Sequence, residues 1–182
     1  PERFIKRNKK TIISQPIKGT KKRGKTFKED LFLINSLKNS IKEKSENHMI
    51  VDLVRNDLSR IAKKGSVKVT ELSKINTYKN IHQMVSTIEA QIENEVFFSK
   101  ILKSTFPMGS MTGAPKIKTM KIIDELEETS RGIYSGAIGY IDPNKNFDFN
   151  VVIRTIIYDD KLSKISVNVG SGITFKSNPE DE

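Results

Sequence analysis

Three strand-like runs near the end of the chain, GIYSGAIGYID, NFDFNVVIRTIIYDD and KLSKISVNVGSGITF, are joined through DPNKN and DDKLS. Connections this short pair antiparallel neighbours, because a parallel return needs a crossover of about a dozen residues or more. The rest of the chain must therefore pack on hairpins. SVKVTELSKINTY alternates β-branched and polar residues as strands do, and HQMVSTIEAQI is a second extended segment. Between the first strand-like run, TIISQPI, and these lies EDLFLINSLKNSIKEKSENHMIVDLVRNDLSRIAKKG. There Met49, Leu53 and Leu58 recur with Ile50, Val54 and Ile61 at helical spacing, and Gly65 closes the segment. A break near Ser45 divides it into two helices. NEVFFSKILKST reads as a short amphipathic helix. TIISQPI ends in a Pro-Ile-Lys-Gly-Thr turn, followed by the polar loop KRGKTFKED. The expected class is α+β with antiparallel pairing.

The length of 182 residues suits one domain or a large piece of a bigger one. The net charge of +10 points to anionic partners or to a background of solvated lysines. The basic residues are spread along the chain, with no Trp and few aromatics for base stacking, so a small-anion site is favoured over nucleic acid. The absence of cysteine excludes disulfides and thiolate catalysis. Two histidines, His48 and His82, are too few for a His-rich metal site. Any metal is then held by oxygen, which favours Mg²⁺. No apolar run reaches membrane-spanning length and no signal peptide opens the sequence, so a cytoplasmic protein without membrane contact is expected. The chain begins on Pro1 and stops at NPEDE, which reads as a cut at both ends.

Four constellations carry possible chemistry. Glu43 and Glu46 lie three apart on a helix and share a face, either as a Mg²⁺ site or as a solvated acidic pair. PMGSMTGAPK leads a Gly-Ser-x-Thr-Gly loop into a helix begun by Ala114 or Pro115, in which Ile117, Met120 and Ile123 share a face. That loop is an anion cradle or an ordinary capped helix start; it lacks the ending of a P-loop. Tyr134 and Arg154 fall on neighbouring expected strands. Arg154, in the apolar run NVVIRTII, needs a carboxylate from a ligand or from a structural Asp or Glu. NVGSGI is a glycine hinge where backbone approaches a ligand closely. Lys18 is one more cation or a nucleophile; a lysine attacks only as the free amine.

The ordered set PERF, PIKGT, ENHMIVDLVRNDL, GSMTGAPK, RGIYSGAIGY, VVIRT and VGSGITFKSNPEDE resembles the chorismate-utilising enzymes over nearly the whole chain. The resemblance implies an α/β sandwich of antiparallel sheets with flanking helices, of which residues 1–182 supply a partial domain. It implies chorismate as substrate and Mg²⁺ as cofactor. The lysine of PIKGT points to the branch that aminates chorismate at C4 on the way to 4-aminobenzoate and folate, using ammonia from a glutamine amidotransferase subunit or fused domain. Anthranilate-forming members, the alternative, typically carry alanine there. Lys18 is then the covalent nucleophile and Glu2 the acid/base carboxylate. Glu46 is a direct Mg²⁺ ligand, Glu43 a ligand through water, and Glu182 opens a second Glu-x-x-Glu pair whose partner lies past the last residue. Tyr134, Arg154, Gly170 and Gly172 hold a substrate carboxylate, and His82, Ser110 and Thr112 line the pocket. The chain alone is expected to be inactive.

Overall fold

The computed structural model describes residues 2–93, 95–174, 177–178 and 180. The strands are β1 (Arg3–Asn8), β2 (Thr11–Gln15), β3 (Ile17–Lys22), β4 (Lys68–Thr77), β5 (Ile81–Gln91), β6 (Ala137–Ile141), β7 (Phe147–Val151), β8 (Ile156–Asp159) and β9 (Lys164–Val167). The helices are α1 (Phe27–Asn39), α2 (Ile41–Ser59), α3 (Phe98–Thr105) and α4 (Lys116–Leu126), with a 3₁₀ turn at Gly109–Met111. Strands β1 to β7 form one sheet of seven strands and β8–β9 a separate hairpin. Every pairing is antiparallel, as the short connections require.

The longest strand, β5, is the spine. β4 pairs along one edge. The other edge is shared end to end by β2 and β3. Pro16 separates these two and has no N–H to give, but its carbonyl accepts from Ser86 N–H at 3.1 Å, so the ladder continues across it. PIKGT is thus not the turn expected from its Pro and Gly. It is strand, and the register against β5 slips by one residue between Ile17 and Thr20. Gly19 absorbs the slip at φ +82°, which only glycine takes without strain.

The helical segment divides at Ser40, five residues before the expected break at Ser45. Ser40 is extended, donates its N–H to Leu37 O at 3.3 Å and accepts on its hydroxyl from Glu43 N–H at 3.3 Å. One residue closes α1 and caps α2. The spacing Ser40-x-x-Glu43 was the legible signal. Helix α2 lies on the sheet, where Val51 and Leu58 meet Phe4, Ile5, Ile12 and Ile88 in the core. Asn47, fully buried, accepts from the hydroxyls of Ser73 on β4 and Ser86 on β5. These bonds set the rotation of α2 about its axis, and with it the face that carries Glu43 and Glu46.

Ile117, Met120 and Ile123 share a face of α4 as their spacing indicated, but that face is not packed. Ile117 is 73% exposed, and α4 buries none of its residues. On the β8–β9 hairpin, Ile156 faces Val167 and Tyr158 faces Ile165, and all four are exposed. No described element covers either surface.

Candidate active site

Glu2 enters β1 from below the end of β7, where its carbonyl accepts from Val151 N–H at 2.8 Å. It is only 6% exposed. Burial pushes its carboxyl up to about 7. The Ser110 hydroxyl, the Lys18 ammonium, the Ile17 N–H and the Arg154 guanidinium all stand close enough to pull it back. The strand slip at Gly19 is what brings Lys18 to this carboxyl. Bulges recur beside active sites because they re-aim a side chain.

Tyr134 and Arg154 are on turns, not on the strands expected for them. The ladder of β6 and β7 continues irregularly beyond both strands, with Val152 N–H donating to Gly136 O at 2.9 Å and Ser135 N–H to Val152 O at 3.0 Å. The chain then leaves the sheet and Arg154 adopts φ +54°. Arg154 is therefore exposed and not embedded in the apolar run, whose buried members are Val151 and Val152. The Arg154 side chain ends near Glu2, and the Tyr134 hydroxyl ends beside Gly170. Arg131 braces this corner, donating to Met111 O and Ser135 Oγ at 3.0 Å each and pairing with Glu127.

The glycine hinge closes over the group. A Cβ on Gly170 would lie 2.6 Å from Tyr134 Oη, and one on Gly172 would lie 3.1 Å from Lys18 Nζ. The backbone here can approach because neither residue has a side chain. On the other side, a Cβ on Gly19 would lie 2.8 Å from Glu43 Oε2 and 2.8 Å from Leu37 Cδ1. Gly19→Ala therefore meets both a left-handed backbone and a steric block. It is expected to lower stability by about 1–3 kcal/mol, read by urea denaturation.

Ser110 faces Glu2, with its Oγ buried and lacking an aligned hydrogen bond. Thr112 turns its hydroxyl to Met108 O at 3.1 Å within the 3₁₀ turn. His82 is placed in a different cluster. It is fully buried on β5, with Nδ1 2.9 Å from Thr77 Oγ1 and Nε2 2.8 Å from Asp30 Oδ1. Arg23 pairs with the same Asp30 at 2.8 Å and holds its carboxyl well below the usual range. The charge of Arg23 is thus tied to the entry of α1. Glu182 lies outside the described residues.

Sequence reasoning passed over two residues inside motifs it had quoted. Asp57, in VRNDL, and Lys116, in GAPK, form a buried ion pair, and Lys116 also donates to Pro107 O at 2.8 Å. Burial raises the Asp57 carboxyl while Lys116 opposes that rise. The signal was the pairing of one acidic and one basic position in the two most distinctive motifs.

The described residues contain no group of three His, Asp or Glu that gathers as a metal site. The pair Glu43 and Glu46 offers hard oxygen donors on one helix face, with Glu43 pressed over the Gly19 backbone. That chemistry fits Mg²⁺ in a set needing further oxygen ligands. No helix among the described residues is long and apolar enough to cross a membrane.

The family model for chorismate binding enzymes matches residues 1–182. The chain belongs to the chorismate-binding enzyme family. Among chorismate-binding relatives, it is 46% identical over 183 residues to the chloroplastic aminodeoxychorismate synthase of Arabidopsis thaliana, covering 100% of this chain and 20% of that protein. It is 43% identical to aminodeoxychorismate synthase component 1 of Escherichia coli, covering 100% of this chain and 40% of that one. Anthranilate synthase component 1 of Aquifex aeolicus is 42% identical over 100% of this chain and 36% of its own length. The chain thus spans 20% to 40% of these relatives. The solved anthranilate synthase component I of Streptococcus pneumoniae superposes with TM-score 0.75 at 34% identity over 86% of this chain and 34% of that one. An isochorismate synthase-type protein of Bacillus anthracis gives 0.86 at 22% identity over 100% of this chain and 48% of that one, which shows the shared fold alone.

Proposed function

We propose that this chain is part of the catalytic domain of an aminodeoxychorismate synthase, which converts chorismate and ammonia to 4-amino-4-deoxychorismate and water. The observation that carries the reading is the juxtaposition of the Lys18 amine with a buried carboxyl, Glu2, that titrates at about 7. A general acid works best with its proton affinity near the working pH. In this reading the free amine of Lys18 bonds to C2 of chorismate as the C4 hydroxyl departs, taking a proton from Glu2 and leaving as water. Ammonia then bonds to C4 and passes one proton back to the Glu2 carboxylate, the C2–N bond breaks, and Lys18 returns as the amine. Arg154, Tyr134 and the N–H groups at Gly170 and Gly172 grip a substrate carboxylate. Glu43 and Glu46 would hold Mg²⁺, with Glu182 as a further ligand, and the ion would neutralise charge on a substrate carboxylate. The ammonia comes from a glutamine amidotransferase subunit or fused domain.

Anthranilate synthase relatives match almost as well, so product identity is the test. The full polypeptide carrying these residues, given chorismate, Mg²⁺ and ammonium, is expected to yield 4-amino-4-deoxychorismate by mass spectrometry. Anthranilate as the main product overturns the reading. The 182-residue chain by itself is expected to give neither. Its uncovered faces on α4 and β8–β9 are the surfaces that further chain would complete.

A further inference from the structure

Behind Glu2, away from the Lys18 side, lies a cavity of about 20 Å³ between β1, α2 and the 3₁₀ turn. That volume holds one water, which needs at least roughly 10–15 Å³ and two to four polar partners. The polar residues that line it are Glu2, Ser14, Asp57, Thr105 and Ser110. Two of these are already satisfied: Ser14 Oγ donates to Phe4 O at 2.7 Å and Thr105 Oγ1 to Ile101 O at 2.9 Å. Asp57 Oδ1 is buried without a hydrogen bond among the described residues, and Ser110 Oγ, buried beside the Glu2 carboxyl, lacks an aligned one. The other oxygen of Asp57 is fixed by Lys116, so its free oxygen cannot swing elsewhere.

We propose that one buried water bridges Glu2, Asp57 Oδ1 and Ser110 Oγ, and that Asp57 is a positioning residue for the Glu2 proton. The role of that proton rests on the reaction proposed above. The bridge does not. When Glu2 gives up its proton, the new carboxylate accepts from one O–H of the water, and the second O–H stays on Asp57. No bond in Asp57 breaks. Lys116 keeps Asp57 an acceptor, and the pair anchors the water from α2 and from the start of α4 at once. The charged groups facing Glu2 are then Lys18 from β3 and Arg154 from the turn after β7, with Asp57, backed by Lys116 and Arg60, across the cavity.

Two measurements on the full polypeptide decide this. A high-resolution crystal structure is expected to show an ordered water within hydrogen-bond distance of all three groups; a dry cavity overturns the proposal. Asp57→Asn removes the negative charge across the cavity, leaves the Lys116 charge unpaired, and is expected to shift the Glu2 titration to lower pH. The readout is the Glu2 carboxyl stretch in infrared difference titration without chorismate, assigned by its loss in Glu2→Gln. An unchanged Glu2 titration in a folded Asp57→Asn protein also overturns it. If that variant does not fold, the crystal structure decides alone. Neither readout involves product formation, so a wrong substrate leaves this test intact.

Discussion

Lys18→Ala is expected to abolish 4-amino-4-deoxychorismate formation, with a fall in kcat on the order of 10³-fold or more, because deletion of a covalent nucleophile leaves only binding and electrostatics. The fold is expected to persist. Lys18 is half-buried on β3 at the slipped register, and the apolar core that includes Ile12 and Ile88 does not depend on its amine. Thermal melting and far-ultraviolet circular dichroism are therefore expected to match the parent protein. A companion experiment withholds ammonia. The parent polypeptide is then expected to gain the mass of chorismate less water, since C2–N forms and the C4 hydroxyl leaves, and the alanine variant is expected to gain nothing. An adduct on the Lys18→Ala protein would falsify the assignment of the nucleophile.

Glu2→Gln is expected to separate stability from activity. The amide keeps the shape and loses the transferable proton, so kcat is expected to drop by about 10²–10⁴-fold. Stability moves the other way, and only at high pH. The Glu2 carboxyl rises from 4.5 to about 7 on folding, so the folded protein binds this proton more tightly than the unfolded chain. Its contribution is complete below pH 4.5 and is lost as pH rises through about 7. Above that, burying the carboxylate costs the native state about 3 kcal/mol, at 1.36 kcal/mol for each unit. Glutamine is neutral throughout. The variant is thus expected to unfold at higher urea than the parent at pH 8 and at nearly the same urea at pH 5. Equal gains at both values would mean that Glu2 does not titrate in this range.

The antiparallel class was legible because hairpin connections leave a chain no other choice. The strands β4 and β5 and the helix α3 followed from residue period alone. The errors fell where one residue does two jobs. Ser40 ends one helix and caps the next, so no run of breakers marks the division. Pro16 and Gly19 look like a turn in sequence, yet the β5 ladder carries the backbone through both. Arg154 sits in an apolar run and still leaves the sheet, because the pairing with β6 runs out after Val152.

The candidate site divides in the same way. Lys18, Tyr134, Arg154, Gly170 and Gly172 were singled out by residue type and motif, since an amine, an anion grip and two side-chain-free positions are visible as letters, whereas Glu2 came only from the resemblance of PERF to the chorismate-utilising enzymes. Their convergence on one corner was not visible, because it depends on a one-residue register slip and on where a ladder ends. His82 shows the converse. A histidine in a strand reads the same whether it faces a pocket or an aspartate, and only packing put it against Asp30.

The sequence alone determined the chemistry available: no thiolate, no histidine cluster, oxygen ligands for any metal, and one lysine in a motif of its own. Tertiary structure decided the proton affinity of Glu2 and the buried pairing of Asp57 with Lys116. Both arise from removal of water around a charge, and desolvation is a property of how distant segments pack and not of any local run of residues.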